Sequence, residues 1–169
     1  APVSGANSSG KYFAYSQDGG ETWNEVGVVP TISAYSGAYG DGTFVAVNYS
    51  TGTQGFETDN VAVYSTDYPP QVWQASQNLT GEYKLGWNDV TYGDGKFVAV
   101  AGTPHPTDHR AMYSTDNART WNPVVTASDT ANWSSVAYGN GVFVAVAYEP
   151  SYDADRDHTT FMMSSNGIQ

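Results

Sequence analysis

Two short motifs recur along this chain at nearly constant intervals, and no other feature restricts the fold as strongly. The first is Ser-x-Asp, or Ser-x-Asn in one copy, and successive copies are 49, 49 and 50 residues apart. It begins at Ser16, Ser65, Ser114 and Ser164. The second, Tyr-Gly-Asp/Asn-Gly-x-Phe-Val-Ala-Val, begins at Tyr39, Tyr92 and Tyr138. Because the two motifs alternate in a constant order, one structural unit must recur with this period.

Each repeat has the pattern of four short β-strands, and no segment shows helical periodicity. In the clearest repeat, Asp94-Gly95 predicts a two-residue hairpin turn, since both residue types tolerate positive φ. The strand after this turn is apolar throughout, which is typical of a strand buried on both faces. The predicted strands of this repeat are 87–92, 96–101 and 110–114, with a fourth opening at Thr120-Trp121. The matching turns elsewhere are Asp41-Gly42 and Asn140-Gly141.

Four-stranded units that return every 40 to 50 residues are typical of β-propeller blades. A single sandwich or barrel is the alternative, but it would not require a motif to return at the same phase. We therefore predict an all-β fold of propeller-type, four-stranded blades, about three per chain, forming a single repeat domain over 1–169. The repeat units are about 1–29, 30–81, 82–128 and 129–169, of which the first and last are incomplete.

The predicted strand count is too small for a closed ring. About 13 strands make roughly three blades, whereas propellers close with about four to eight. Two interpretations stay open: the chain is part of a longer polypeptide, or several copies assemble into a ring or a fibre. Unpaired strand edges at an open end tend to find partners, which is compatible with both.

Composition restricts the classes of partner. The chain has 169 residues and a formal net charge of −11, so it repels nucleic acids and anionic membrane surfaces. It contains no cysteine, which excludes disulfides, thiol catalysis and cysteine-bound metals. It has no apolar run of about 18 residues, so we expect no membrane insertion.

Residues 16–23 read Ser-Gln-Asp-Gly-Gly-Glu-Thr-Trp, and with this pattern the chain resembles the Asp-box, or BNR, β-propellers. Residues 114–121 match the same pattern with Ala118 in the glycine place. A longer version at 65–73 contains two prolines, and 164–167 begin a fourth box with Asn in place of Asp. The structural residues of these boxes are Ser16, Asp18, Gly20, Trp23, Ser65, Asp67, Trp73, Ser114, Asp116 and Trp121.

The resemblance implies a structural role for these boxes. In Asp-box proteins, which include sialidases and sortilin-like receptors, the box joins the third and fourth strands of a blade, away from the binding face. The Asp and Ser side chains are expected to accept hydrogen bonds within the turn, and the Trp ring to be buried between units. Asp18, Asp67 and Asp116 are therefore not expected to be catalytic.

Long loops after the second strand carry most of the chemistry-bearing side chains. They span roughly 49–59, 102–109 and 148–158, and they hold all three histidines. Variable loops on a regular scaffold are where binding residues concentrate. The candidate binding residues are Glu57, Asp59, His105, Asp108, His109, Arg110, Asp153, Asp155, Arg156, Asp157 and His158.

No cofactor is required by the sequence, but two cation sites are alternatives. Asp153, Asp155 and Asp157 alternate as Ca²⁺ ligands often do. Against this, Arg156 lies among them, and a solvated acidic loop explains the pattern equally. His105 and His109, with Asp108 beside them, offer ligands for a divalent metal, although the prolines around His105 favour an exposed, stiff loop.

Catalysis is the alternative to binding. Sialidases, which share the boxes, also use three arginines and a tyrosine nucleophile. This chain has only Arg110, Arg119 and Arg156, and Arg119 lies inside a box. We therefore predict a non-catalytic binding or structural module, with a fragment of a sialidase-like or glucanase-like glycoside hydrolase as the alternative.

Four Asn-x-Ser/Thr triplets are candidate N-glycosylation sites, at Asn7, Asn48, Asn78 and Asn132. With the absence of cysteine and the low content of charged residues, they favour an extracellular or surface-associated glycoprotein of a cell, virion or filament. The expected partners are a second copy or the remainder of a longer chain, and a glycan or surface protein in an adhesion role.

Overall fold

The computed structural model describes residues 13–26, 29–30, 32–48, 60–79, 86–102, 109–126, 131–148 and 161–168. These contain thirteen strands and no helix. The strands are β1 (Ala14–Tyr15), β2 (Asn24–Glu25), β3 (Ala34–Gly40), β4 (Thr43–Asn48), β5 (Ala62–Ser65), β6 (Gln74–Ala75), β7 (Trp87–Gly93), β8 (Lys96–Ala101), β9 (Ala111–Ser114), β10 (Asn122–Val124), β11 (Trp133–Gly139), β12 (Val142–Ala147) and β13 (Phe161–Ser164). None of the described residues forms a helix long and apolar enough to cross a lipid bilayer.

The strands form four antiparallel sheets, each a simple meander. Sheet 1 contains β1 and β2, sheet 2 contains β3 to β6, sheet 3 contains β7 to β10, and sheet 4 contains β11 to β13. The predicted four-stranded pattern is confirmed in sheets 2 and 3. The all-β prediction holds throughout the part of the chain that the structure describes.

The first hairpin of sheets 2, 3 and 4 closes on the predicted two-residue turn. Asp94 and Gly95 both have positive φ, of 47° and 73°. The Asp41-Gly42 and Asn140-Gly141 turns have the same signs. These are the conditions of a turn whose twist matches the flanking strands, so the motif itself sets the register of the two innermost strands.

The sheets pack face to face in chain order. β3 contacts β7 and β7 contacts β11, which makes the first strand of sheets 2, 3 and 4 the innermost. One hydrophobic cluster fills each of the three sheet–sheet interfaces. The apolar second strands explain this, because Phe97 and Ala99 face the preceding sheet while Val98 and Val100 face the following one.

At each contact between innermost strands, a tyrosine ring of one sheet packs directly against a glycine of the preceding sheet. A Cβ atom on Gly40 would lie 2.0 Å from Cγ of Tyr92, and one on Gly93 would lie 2.0 Å from Cγ of Tyr138. The Tyr-Gly dipeptide of one repeat thus supplies the glycine that receives the tyrosine of the next. At the equivalent Gly139, a Cβ atom would meet nothing within 4 Å.

Candidate binding surfaces

The first box turn is held by its own side chains. Ser16 Oγ accepts a hydrogen bond from Gly20 N at 2.8 Å and donates one to Asp18 Oδ1 at 2.7 Å. Asp18 accepts from the Thr22 backbone N–H at 2.9 Å and from the Thr22 hydroxyl. Because both oxygens of the carboxylate are used inside the turn, Asp18 has the structural role that the motif predicts.

The box of sheet 3 repeats this arrangement in a less exposed position. Asp116 accepts from Thr120 N at 2.9 Å and from Thr120 Oγ1 at 2.6 Å, and Ser114 Oγ accepts from Ala118 N at 3.0 Å. Ala118 has a φ of 61°, a conformation usually reserved for glycine. In the longer box of sheet 2, the retained contact runs from Asp67 N to Ser65 Oγ at 3.3 Å.

These hydrogen bonds lower the pKa of two box carboxyl groups. The hydroxyl and backbone N–H of Thr22, followed by the Ser16 hydroxyl, lower the pKa of Asp18 far below its usual range. For Asp116, burial acts in the opposite direction as the largest single effect, but the bonds from Thr120 and Ser114 together outweigh it and lower the pKa. Both groups are therefore held as carboxylates.

The lowered pKa values predict acid-sensitive stability. A carboxyl group with a lowered folded-state pKa binds its proton more readily in the unfolded chain, so its contribution is complete above its ordinary value of 3.8 and decreases as the pH falls below it. Thr120→Val should lower the free energy of unfolding by about 1 kcal/mol at neutral pH and flatten this acid dependence. Denaturant titrations across this range measure both effects. Thr115→Val, at an exposed position, is the control, and an equal effect there would contradict the assignment.

The predicted burial of the box tryptophan is correct for Trp73 and Trp121 and wrong for Trp23. Trp121 is 0% exposed and its Nε1 donates to Ser76 Oγ of sheet 2 at 3.3 Å, whereas Trp23 is 57% exposed. The physical reason is that this ring is covered by the preceding sheet, and no described residue forms a sheet in front of sheet 1.

Two of the candidate binding residues lie in the described part of the chain. His109 is half-buried, and Arg110 is buried and donates from Nη1 to the carbonyl oxygen of Ala131 at 2.7 Å. Arg110 therefore links sheet 3 to the segment before β11 and supports the loop base. The other candidates lie outside the described residues: Glu57, Asp59, His105, Asp108, Asp153, Asp155, Arg156, Asp157 and His158. Among described residues no cluster of three His, Asp or Glu could hold a metal ion.

The candidate glycosylation sites differ in accessibility. Asn48 is 1% exposed, so the folded chain has no room for a glycan there, and this prediction is corrected. Asn78 is exposed, but its Nδ2 donates to the carbonyl oxygen of Trp121 at 3.1 Å. Asn132 is half-buried, and Asn7 lies outside the described residues.

Asp89 is a central residue that sequence reasoning missed. Its Oδ1 accepts from Ser36 Oγ of β3 at 2.5 Å and from Val90 N at 2.9 Å. Its Oδ2 accepts from Ser135 Oγ at 2.6 Å and Val136 N at 2.9 Å, both on β11. One carboxylate therefore joins the innermost strands of three sheets. The available signal was that Ser36, Asp89 and Ser135 all lie three positions before the tyrosine of the repeated motif.

A larger and a smaller cavity lie between neighbouring sheets in the described part of the chain. The larger, of about 590 Å³, lies between sheets 1 and 2 and is lined by aromatic side chains including Phe13, Tyr15, Tyr39, Phe44 and Trp73. The smaller, of about 80 Å³, lies between the outer parts of sheets 3 and 4. Both adjoin sheets that have fewer than four described strands.

The comparisons with known proteins support the fold and nothing finer. The sequence matches no protein-family model and no curated protein. A solved structure described as YCF48 bound to D1 peptide superimposes with a TM-score of 0.56 at 16% identity, over 86% of this chain and 46% of its own. Phage phi92 endosialidase superimposes with a TM-score of 0.54 at 14% identity, over 78% of this chain and 22% of its own. This chain spans less than half the length of either protein, and both have β-propeller sheets like those seen in it.

Proposed function

We propose that this chain is a non-catalytic extracellular or surface module of the Asp-box type, which binds a glycan or a surface protein through the loops at one end of its sheets. The observation that carries the proposal is that three equivalent strands end side by side, at the points where the three long loops begin. β4, β8 and β12 are equivalent strands of adjacent sheets, and they end at Asn48, Ala101 and Ala147. The loops rich in histidine and acidic residues continue from these three neighbouring ends.

The base of this loop surface is well supported by hydrogen bonds. Asn88 Nδ2 donates to the carbonyl oxygen of Trp133 at 2.8 Å, which ties sheet 3 to sheet 4. Tyr148 N donates to the carbonyl oxygen of Asn132 at 2.9 Å, and Gly102 N to that of Gly86 at 3.1 Å. With the Arg110 contact, these bonds fix the points where the loops leave the sheets. A fixed base is what allows variable loops to form one binding surface.

The arginine positions favour binding over glycoside hydrolysis. Arg110 and Arg119 lie at opposite ends of β9. Arg119 donates from Nη1 to the carbonyl oxygen of Asp116 at 3.1 Å, and its guanidinium stacks over the Tyr64 ring at 5.8 Å. The two therefore cannot contact one substrate carboxylate together, as a sialidase-like arginine cluster would require. The box carboxylates Asp18 and Asp116 are likewise committed to their turns.

Binding by the loop surface is tested on a glycan array. The triple change His105→Ala, Asp155→Ala and His158→Ala should weaken binding of the recognised glycan at least about tenfold, equivalent to about 1.4 kcal/mol. Lys96→Ala changes a hairpin at the other end of the sheets and is the matched control. If no glycan is retained, the same variants on a displayed-peptide library test the protein partner.

Turnover distinguishes the hydrolase alternative. We expect the unaltered chain to leave sialosides and β-glucans intact. Release of sugar that the triple variant no longer catalyses would reject the non-catalytic assignment, and the loop residues would then be part of an active site. Equal loss of binding in the Lys96→Ala control would instead reject the loop surface as the binding face.

A further inference from the structure

We propose that two copies of this chain assemble head to tail by strand exchange, with β11 and β12 of one copy and β1 and β2 of the next forming one four-stranded sheet. This inference is independent of the loop-surface ligand. It rests on the repeated contacts between sheets 2 and 3 and between sheets 3 and 4, and on two end surfaces that each present one half of the same contacts.

The Tyr-on-Gly contact shows the complementarity most directly. Tyr92 and Tyr138 each cover the glycine of the preceding sheet, but Tyr39 is 58% exposed and Gly139 has open space above it. Tyr39 is nevertheless packed like its equivalents, because its ring lies 4.5 Å from that of Phe44 at 45°. The corresponding Tyr138–Phe143 pair is at 4.6 Å and 49°. Tyr39 therefore already has the geometry needed to cover a glycine like Gly139.

The valines of the second strands show the same mismatch between the middle and the end of the array. Val47 and Val100 are 0% exposed because the following sheet covers them. Val146, at the equivalent position of β12, is 45% exposed, and Phe161 opposite it on β13 is 56% exposed. The outward face of sheet 4 is thus an apolar surface of the kind that the chain covers twice with its own sheets.

The larger cavity has the position of an inner hairpin. In sheets 2 and 3 the third strand pairs on both edges, whereas β1 pairs only with β2 among the described strands. The cavity lies along the other edge of β1 and against β3 and β4, where the first two strands of sheet 1 would lie. A hairpin equivalent to β3–β4 or β7–β8 would fill it, and β11–β12 is such a hairpin on an otherwise uncovered sheet.

The smaller cavity has the position of a box tryptophan. In sheet 3, Trp121 reaches Ser76, which follows β6. The residue of sheet 3 that corresponds to Ser76 is Val124, and Val124 lines the smaller cavity together with β13. The same exchange that places β1 and β2 beside β12 would bring the exposed Trp23 to this cavity. One partner therefore accounts for both cavities and for the exposed tryptophan.

β1 and β13 both take the place of the third strand in their sheets, so they compete for the same edge of β12. β13 must therefore leave this edge before β1 of the next copy can pair there. In the composite sheet, β1 replaces β13 on the edge of β12 in the register of β4–β5, where Val45 is opposite Tyr64. Val144 is then opposite Tyr15 instead of Met163. The β12–β13 pairing within one chain is replaced by an equivalent β12–β1 pairing between two chains. The apolar surface that this newly covers favours the assembly. A head-to-tail interface of this kind generates a ring or a filament.

Cysteine pairing tests the register, and the chain has no cysteine of its own. Asn48 N donates to Val61 O, so positions equivalent to Val45 and Tyr64 form a non-hydrogen-bonded pair, with Cα atoms close enough for a disulfide. Mixing a Tyr15→Cys chain with a Val144→Cys chain should give a disulfide-linked heterodimer under mild oxidation. Cross-linking of Val144→Cys to a Gly19→Cys chain, at an exposed box position, should not occur.

A second pair of variants separates exchange from other association. Oxidised Val144→Cys/Met163→Cys locks β13 onto β12 within one chain, so assembly should be lost and should return on reduction. Gly139→Ala should weaken association at least about tenfold while leaving the folded chain intact, because its Cβ meets nothing within the chain. Sedimentation measures both. A chain that stays monomeric at all concentrations, or that assembles equally when β13 is locked, would overturn the proposal.

Discussion

Gly93→Ala is expected to lower the free energy of unfolding by about 3 kcal/mol, a large effect for the addition of one methyl group. The new Cβ atom would lie 2.0 Å from Cγ of Tyr138 and 2.3 Å from Cδ1 of the same ring. Tyr138 cannot withdraw easily, because its ring packs on Phe143 with centroids 4.6 Å apart. Sheets 3 and 4 must therefore separate at their innermost strands, which loosens the cluster between them.

The chain contains a matched control for this prediction. Gly139 is at the same position of the next repeat, and Gly139→Ala should change the free energy of unfolding by less than about 0.5 kcal/mol. Neither glycine has positive φ, so the comparison isolates the steric effect from backbone strain. Denaturant unfolding of both variants, at concentrations where the chain is monomeric, measures the difference. Equal effects would show that the tyrosine contact does not hold the sheets together.

The repeated motifs predict nearly everything that is local. The strand positions, the hairpin turns and the hydrogen bonds within the box all depend on residues close in sequence. The structure has the hairpin turns as predicted, although the fourth strand of sheet 3 begins at Asn122 and not at Thr120, and the boxes of sheets 1 and 3 have the expected hydrogen bonds. The carboxylate of Asp18, for example, accepts hydrogen bonds from Ser16 and Thr22. Local hydrogen bonds of this kind follow from residue type and spacing, so a single repeat is enough to infer them.

The predictions that failed concern what lies against a repeat. Trp23 has the same motif as Trp121, yet its exposure differs because burial depends on the neighbouring sheet and not on the motif. Asn48 has an acceptor triplet but ends a buried strand. Asp89 was missed because its partners Ser36 and Ser135 are 53 and 46 residues away. The loop candidates stay predictions, since most lie outside the described residues.

Equivalent positions have different roles in the middle of the stack of four sheets and at its two ends. In the middle they stabilise the fold, and at the ends they are available for association. In sheet 3, which has a four-stranded neighbour before it and sheet 4 after it, the Phe-Val-Ala-Val segment of the motif is buried, and Asp89 on the innermost strand joins the two neighbours. Where a sheet has no described neighbour on one side, the equivalent apolar side chains are exposed, as Trp23 of sheet 1 and Val146 of sheet 4 are. Stabilising contacts between sheets are therefore concentrated at sheet 3, and association is expected where sheets 1 and 2 of one copy meet sheet 4 of another.

Asp89→Ala is expected to be the other strongly destabilising change, with a loss of about 3 kcal/mol. The substitution removes the acceptor of the Val90 and Val136 backbone N–H groups and of two serine hydroxyls on neighbouring sheets. Ser135 is exposed and can turn to water, but Val136 is buried and its N–H is left without this partner. Most of the loss comes from these buried backbone donors, because leaving a buried N–H group without an acceptor costs more free energy than losing an exposed hydrogen bond.

Asp89→Asn separates the carboxylate from the shape of the side chain. The amide keeps one acceptor oxygen but replaces the other with a donor, so we expect about half of the loss seen with Asp89→Ala. Asp94→Asn is the control, because Asp94 is exposed and its ion pair with Lys96, at 2.7 Å, should contribute less than about 0.5 kcal/mol. Denaturant unfolding measures all three variants. Equal, small losses for Asp89→Asn and Asp94→Asn would contradict the role of Asp89, since only a carboxylate with both oxygens engaged can join β3 to β11 through β7.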